Sequence, residues 1–267
     1  MKFFFLSALV LWQGLSQAAP SKPTVEAVLE FFHTEDYLEG TVKCMDDALA
    51  RRKKEVPITD QQMQNLTSLS HRIYPASNLY KSFKLAYTKA TTIENLTAVY
   101  NWMNTPKGLK FGTGFNNAYK ATPAQRESYH KKQSPVLLKP NRQNALGTFI
   151  TNWQQDGLEA LTQTQCDFGV LMGMNGYQPA ASRDKTRYLK EKVVRKRSGF
   201  IEKAREQLII FDFYLLKEMK NEEVDDLSKF ATSSVGQGHA KAYGKAMEIV
   251  LDGAAKTLMD QVIKPTK

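Results

Sequence analysis

The chain has 267 residues, with 37 Lys and Arg against 27 Asp and Glu, for a formal net charge of +10. That length suffices for two modest domains. Beyond one N-terminal apolar run there is no second run long enough to cross a bilayer, no low-complexity tract and no strand-like alternation of useful length, which excludes a multi-span membrane protein and a β architecture.

The N-terminus has the three parts of a secretory signal. Lys2 supplies the charge, Phe3 to Trp12 the apolar core and Ser16-Gln17-Ala18 the small-x-small cleavage site. Cleavage is expected after Ala18, because Pro20 disfavours the next bond. The apolar run is shorter than the ~20 residues a membrane span needs. Residues 1–18 are therefore expected to be removed, leaving a soluble periplasmic chain.

The remainder reads as helix throughout. Thr24 caps a short helix to about Phe32. Thr34, followed by Glu35 and Asp36, opens a second, in which Tyr37, Leu38, Val42, Met45 and Leu49 recur at helical spacing. Acids at its start and Arg51-Arg52-Lys53-Lys54 at its end suit the helix dipole, and Pro57 breaks it. Thr59 begins a third helix to about Tyr74, Pro75-Ala76-Ser77 turns into a fourth, and Thr92 caps a fifth. Thr105-Pro106 then places a capping threonine before a proline at the first helical position, where no amide partner is lost. Gly108, one turn into that helix, costs about 1 kcal/mol against alanine, a cost expected where another backbone passes closely.

The segment from Glu94 to Gly108 returns as Glu222 to Gly236 at a constant offset of 128 residues. The same offset pairs Ile73 with Ile201, Phe83 with Phe211, Phe115 with Tyr243 and Ala118 with Ala246. A shared offset across apolar positions and a glycine indicates two copies of one module. Its structural motif is Trp102, Thr105, Pro106 and Gly108 in the first copy and Phe230, Ser233 and Gly236 in the second. The expected fold is all-α: two tandem helical modules of about five to six helices each. Module 1 covers residues 19–121 and module 2 residues 143–267, joined by a linker at 122–142 that carries Pro123, Pro135 and Pro140, with room for one short helix from Pro123. In the second module Leu146, Phe149 and Trp153 form one stripe and Leu158 to Met174 the next. Asn175 to Pro179 is a turn, and a long basic helix leads from Arg183 into Phe200 to Met219.

Cys44 and Cys166 fall in corresponding early helices. In an oxidising compartment an even count points to a bridge between them, the alternative being two buried thiols. A crosslink closing so long a loop contributes about 4–5 kcal/mol in the chain-entropy account.

At the paired motifs, Leu96, Val99, Trp102-Met103, Thr105-Pro106-Lys107-Gly108 and Val224, Leu227, Phe230-Ala231, Ser233-Ser234-Val235-Gly236, the chain resembles the exported bacterial domain-of-unknown-function family 2059. The resemblance spans about residues 24–120 and, more faintly, 143–263. Met103, Ala231 and Ser234-Val235 depart from the family pattern. It implies an all-helical periplasmic protein; it implies no reaction and no catalytic residue.

No catalytic constellation emerges. His33, His71, His130 and His239 sit in no metal-binding spacing, and no metal or cofactor is expected. His239 lies near a helix start and can meet Tyr243 at i+4; because Phe111 is its counterpart, a core or half-buried role is expected. Gly112-Thr113-Gly114 and Gly236-Gln237-Gly238 lack the preceding strand and following GK[ST] of a phosphate loop and read as close helix packing. Trp153 reads as core, with an interface anchor as the alternative. The best functional lead is the basic stretch from Arg183 to Arg205, ten cations against Asp184, Glu191 and Glu202. Arg183, Arg187, Lys190, Arg195, Lys196 and Arg197 are the residues expected to face an anionic partner, such as lipid headgroups, lipopolysaccharide or an acidic envelope protein, with a merely solubilising face as the alternative. Export argues against nucleic acid. The sequence thus leads to a non-catalytic periplasmic binding or adaptor protein of the cell envelope. The alternatives are an immunity or inhibitor protein for a secreted toxin or hydrolase, or an envelope lipid carrier or chaperone, which would need an apolar groove between the modules.

Overall fold

The computed structural model describes residues 23–53, 58–137 and 140–264. The signal segment, Pro57 and the last three residues lie outside these. Among the described residues there are thirteen α-helices and no strand, so the protein is all-α. The first six are α1 (Val25–Phe31), α2 (Thr34–Arg52), α3 (Asp60–Ile73), α4 (Ala76–Ala90), α5 (Ile93–Met103) and α6 (Pro106–Lys120). Next come α7 (Pro123–Leu137), α8 (Pro140–Asn152) and α9 (Gln155–Gly176). The chain closes with α10 (Thr186–Val194), α11 (Arg197–Leu215), α12 (Asn221–Thr232) and α13 (Ser234–Ile263).

The starts are set by side-chain caps. Thr24 accepts from the Ala27 amide, Thr92 from Asn95, Thr105 from Gly108 and Ser233 from Gly236, each at 3.1 Å. Thr59 with Gln62 and Thr122 with Gln125 close reciprocal capping boxes. The second box corrects the expected linker: with Thr122 as cap and Pro123 at the first position, most of residues 122–142 is the 15-residue helix α7, packed on α11. The long basic helix is also corrected. It breaks at Arg195–Lys196 into α10 and α11, where the Lys196 amide bonds back three residues to the Val193 carbonyl rather than continuing the α-helical ladder.

Helix α9 runs through the middle, with almost every side chain from Thr164 to Gly176 buried, and is flanked by α2, α10, α11 and α13. The packing interlocks the halves: α2 lies on α9, α4 on α13 and α6 on α11. One hydrophobic core accordingly draws on both, from Val28, Phe83 and Phe111 to Phe149, Phe213 and Leu258. Cys44 on α2 and Cys166 on α9 are disulfide-bonded, with Cα atoms 6.0 Å apart. Beside them Asp167, nearly fully buried, receives Arg51 at 2.9 Å and Arg52 at 2.6 Å from α2.

Two αL residues, His33 (φ 48°) and Gln154 (φ 56°), join α1 to α2 and α8 to α9, seven residues off the 128-residue register. Trp102 and Phe230 lie against each other, centroids 3.9 Å apart and planes 6° from parallel. Helix α6 reaches α12 through Lys110–Glu223 (2.7 Å) and Lys107–Asp226, while Asn95 of α5 donates to the Val235 carbonyl at the start of α13 (3.0 Å). Gly108 and Gly236 both press on the end of the preceding helix: a Cβ would stand 2.2 Å from the carbonyl oxygen of Trp102 or Phe230. This close approach explains a glycine one turn into each helix. Gly236→Ala is therefore expected to destabilise by about 2 kcal/mol or more through overpacking. Gly253→Ala, whose Cβ meets nothing within 4 Å, is expected to stabilise by up to ~1 kcal/mol through helix propensity. Urea unfolding of the two variants checks the contrast in sign.

Candidate ligand cleft

Where α6 and α11 meet the junctions α1–α2 and α8–α9, the helices leave a cleft of about 200 Å³. Its walls are rings from both halves. Phe32 and Tyr37 come from the first junction and Phe115 and Tyr119 from α6, while Trp153, Phe211, His239 and Tyr243 come from the second half. The rings continue one into the next: Phe32 to Trp153 at 5.9 Å, Phe115 to Phe211 at 5.9 Å and Tyr119 to Phe211 at 5.4 Å. A wider cavity of about 570 Å³ adjoins it, sharing Tyr37, Tyr119, Glu159, Leu208 and Phe211 and extending past Cys44 and Arg126.

The αL turns position the cleft. Each reverses the chain immediately after an aromatic residue, Phe32 or Trp153, turning that ring inward before the next helix begins. The phenols of Tyr37, Tyr119 and Tyr243 are all pushed well above the ordinary tyrosine range by burial, so they remain neutral. Tyr37 donates to Glu159 Oε2 (3.1 Å) and lies 2.9 Å from Thr162, while Gln163 donates to Glu159 Oε1 at 3.0 Å. Tyr243 donates to Thr34 at 3.2 Å. Arg197 gives one bond to the Gly157 carbonyl (3.2 Å). Glu159 and Arg197 are the charged residues of the lining, one of each sign.

His239 is 3% exposed, stacks on Phe32 at 4.4 Å and bonds through Nδ1 to the Tyr87 hydroxyl at 2.8 Å. Burial lowers its pKa to about 4, so the ring is neutral. Close by, Asp212 is fully buried and its carboxyl is pushed up to about 8 by desolvation, partly offset by the Gln155 amide at 3.5 Å. Asp212 Oδ2 and Gln155 Oε1 are both buried without a partner. A protonated acid facing a primary amide can answer both with one proton.

Sequence reasoning anticipated His239 as buried and Trp153 as part of the aromatic core; Trp153 in addition lines the cleft. The structure brings the motif residues Trp102, Phe230, Gly108 and Gly236 together at the contact between halves, a few ångströms from Trp153 (5.7 Å from both Trp102 and Phe230). Three of the six cations are engaged within the protein and three are exposed. Arg183 caps the end of α9 through the Gln178 and Gly176 carbonyls, Lys190 pairs with Glu248 and Asp252 on α13, and Arg197 lines the cleft. Arg187 is exposed and paired with Glu191, and Arg195 and Lys196 are exposed at the helix break. The cleft itself, Tyr37 with Glu159, and Asp212 were missed. The available signal was the aromatic excess on α6, where Phe111, Phe115 and Tyr119 recur every four residues, longer than one core face requires.

Among the described residues no cluster of His, Cys, Asp and Glu is arranged to hold a metal ion. No family model, no curated protein and no solved structure matches the chain.

The two buried titrating groups give opposite pH signatures. Folded Asp212 keeps its proton to a higher pH than the unfolded chain does, so its contribution to stability falls as pH rises from about 4 to about 8. Folded His239 resists protonation, so its contribution falls as pH drops from about 6.5 to about 4. Asp212→Asn is expected to gain stability relative to wild type at pH 8.5 but not at pH 4, as read by urea unfolding at the two pH values.

Proposed function

We propose that this chain is a non-catalytic binding protein whose two halves, related modules meeting at Trp102 and Phe230, enclose a small apolar ligand in the aromatic cleft. The single observation that carries this reading is that one cleft is walled by rings from both halves. Of the roles considered from sequence, the carrier with an apolar groove between modules is the one this geometry favours. The Cys44–Cys166 bridge fits an oxidising compartment, and export to the periplasm belongs to the same proposal. The likeness to the exported family rests on the motif residues alone.

Two helical glycines in the cleft wall offer a clean test. Both glycines line the cleft, and a Cβ at Gly157 or Gly244 meets nothing within 4 Å, so each position has room for a side chain to start. Wild type is expected to bind the neutral two-ring fluorophore naphthalene saturably and one-to-one. Gly157→Leu and Gly244→Leu are each expected to weaken that binding by about tenfold or more while melting no lower than wild type. Absence of saturable binding, or equal binding by the folded variants, contradicts the reading.

A further inference from the structure

If the cleft is the ligand site, a reading this inference rests on, its chemistry also states what it accepts. The key group is the edge of His239 that the fold leaves unused. Tyr87 is fully buried, does not line the cleft, and its hydroxyl bonds Nδ1 of His239 at 2.8 Å, with the Thr91 hydroxyl as a more distant side-chain neighbour. Of the two, the imidazole nitrogen is the nearer and more basic acceptor, and a phenol is the stronger donor than a neutral imidazole N–H. The phenol therefore donates, Nδ1 accepts, and in the neutral ring the proton resides on Nε2. Nε2 has no partner among the described residues and is not one of the occluded polar atoms, so an N–H donor on a 97%-buried side chain opens on the cleft.

The rest of the wall defines the body of the ligand. Glu159 has both oxygens bonded to protein groups, and it and Arg197 carry opposite charges, so the lining offers no net charge to an ion. The apolar wall consists chiefly of flat rings rather than branched aliphatic chains. Gly157 and Gly244 leave open space over two helix backbones, although glycine is a poor residue in a helix interior. Bare backbone on one side and ring faces on the other make a slot suited to a thin, planar body.

We propose that the cleft binds a neutral, flat ring compound of one or two rings that carries a hydrogen-bond acceptor, a ring carbonyl, ether or pyridine-type nitrogen, and that the Nε2–H of His239 selects for that acceptor.

Quinoline and naphthalene share a shape and differ by one acceptor nitrogen, which makes them the probes. Both are titrated by calorimetry near neutral pH into wild type, Tyr87→Phe and the double variant Tyr87→Phe/His239→Phe, with decanoate as the aliphatic anion. The double variant removes both members of the buried pair and keeps the ring stacked on Phe32, so folding is retained. In it quinoline is expected to weaken about tenfold and naphthalene less than twofold. In Tyr87→Phe, which keeps the imidazole, quinoline is expected to stay within about threefold of wild type. Quinoline and naphthalene changing in parallel, or decanoate binding better than either, overturns the ligand class while leaving the cleft as a site. No binding of any probe to wild type overturns both this inference and the reading beneath it. A readout on wild type alone guards against a variant that does not fold: in ¹⁵N NMR the His239 ring is expected as the Nε2–H tautomer, with the Nε2 resonance moved by quinoline and not by naphthalene. An Nδ1–H tautomer would overturn the proposal.

Discussion

The rest of this structure depends on the contact between Trp102 and Phe230. Two aromatic side chains at equivalent places in the 128-residue register meet nearly parallel, 3.9 Å apart. For that to happen, each motif helix must press on the end of the one before it, which only glycine at 108 and 236 permits. Once the rings are stacked, the positions of α6 against α12 and of α13 against α5 follow, with Lys110–Glu223 and Asn95–Val235 tying each crossing. The disulfide and the buried Asp167 pair with Arg51 and Arg52 hold α2 to α9 elsewhere. The ion pair is weak evidence for stability by itself, since desolvating its charges offsets much of their attraction. Its value is that Asp167 would be costly to bury anywhere else, so α2 has one seat on α9.

The cleft follows from this arrangement. Trp153 touches both Trp102 and Phe230, and Phe111 stacks on Trp153 at 5.4 Å, so the rings at the contact run directly into the rings of the wall. Between the two sets of rings the helices leave a gap. The polar groups around it are largely internally bonded: Glu159 to Tyr37 and Gln163, Tyr243 to Thr34, His239 to Tyr87. The exceptions are Gln155 with Asp212, the Nε of Arg197 and the outer edge of His239.

Much of this fold was legible in the sequence because helix starts are local. Thr24, Thr59, Thr92, Thr105 and Ser233 cap helices where a capping residue precedes an apolar stripe. The pairing of Cys44 with Cys166 was legible from compartment and count. The cleft was not, because it depends on how α6 crosses α11, and apolar periodicity says which face is buried but not against what. Tyr37 and Glu159 are 122 residues apart and carry no local sign of meeting. The partners within the charge run were illegible for the same reason. Arg183, Lys190 and Arg197 look like one surface in the chain, yet each is used by a different neighbour, and the run is divided between α10 and α11 at Arg195–Lys196.

The central claim is that the two halves together form one ligand site. The most direct measurement is a set of intermolecular nuclear Overhauser contacts between bound naphthalene and the protein's aromatic protons. The account predicts contacts to Phe115 from the first half and to Trp153 and Phe211 from the second, in a single one-to-one complex. Contacts confined to exposed apolar residues such as Leu85, Leu109 or Tyr188, or to one half alone, would contradict it.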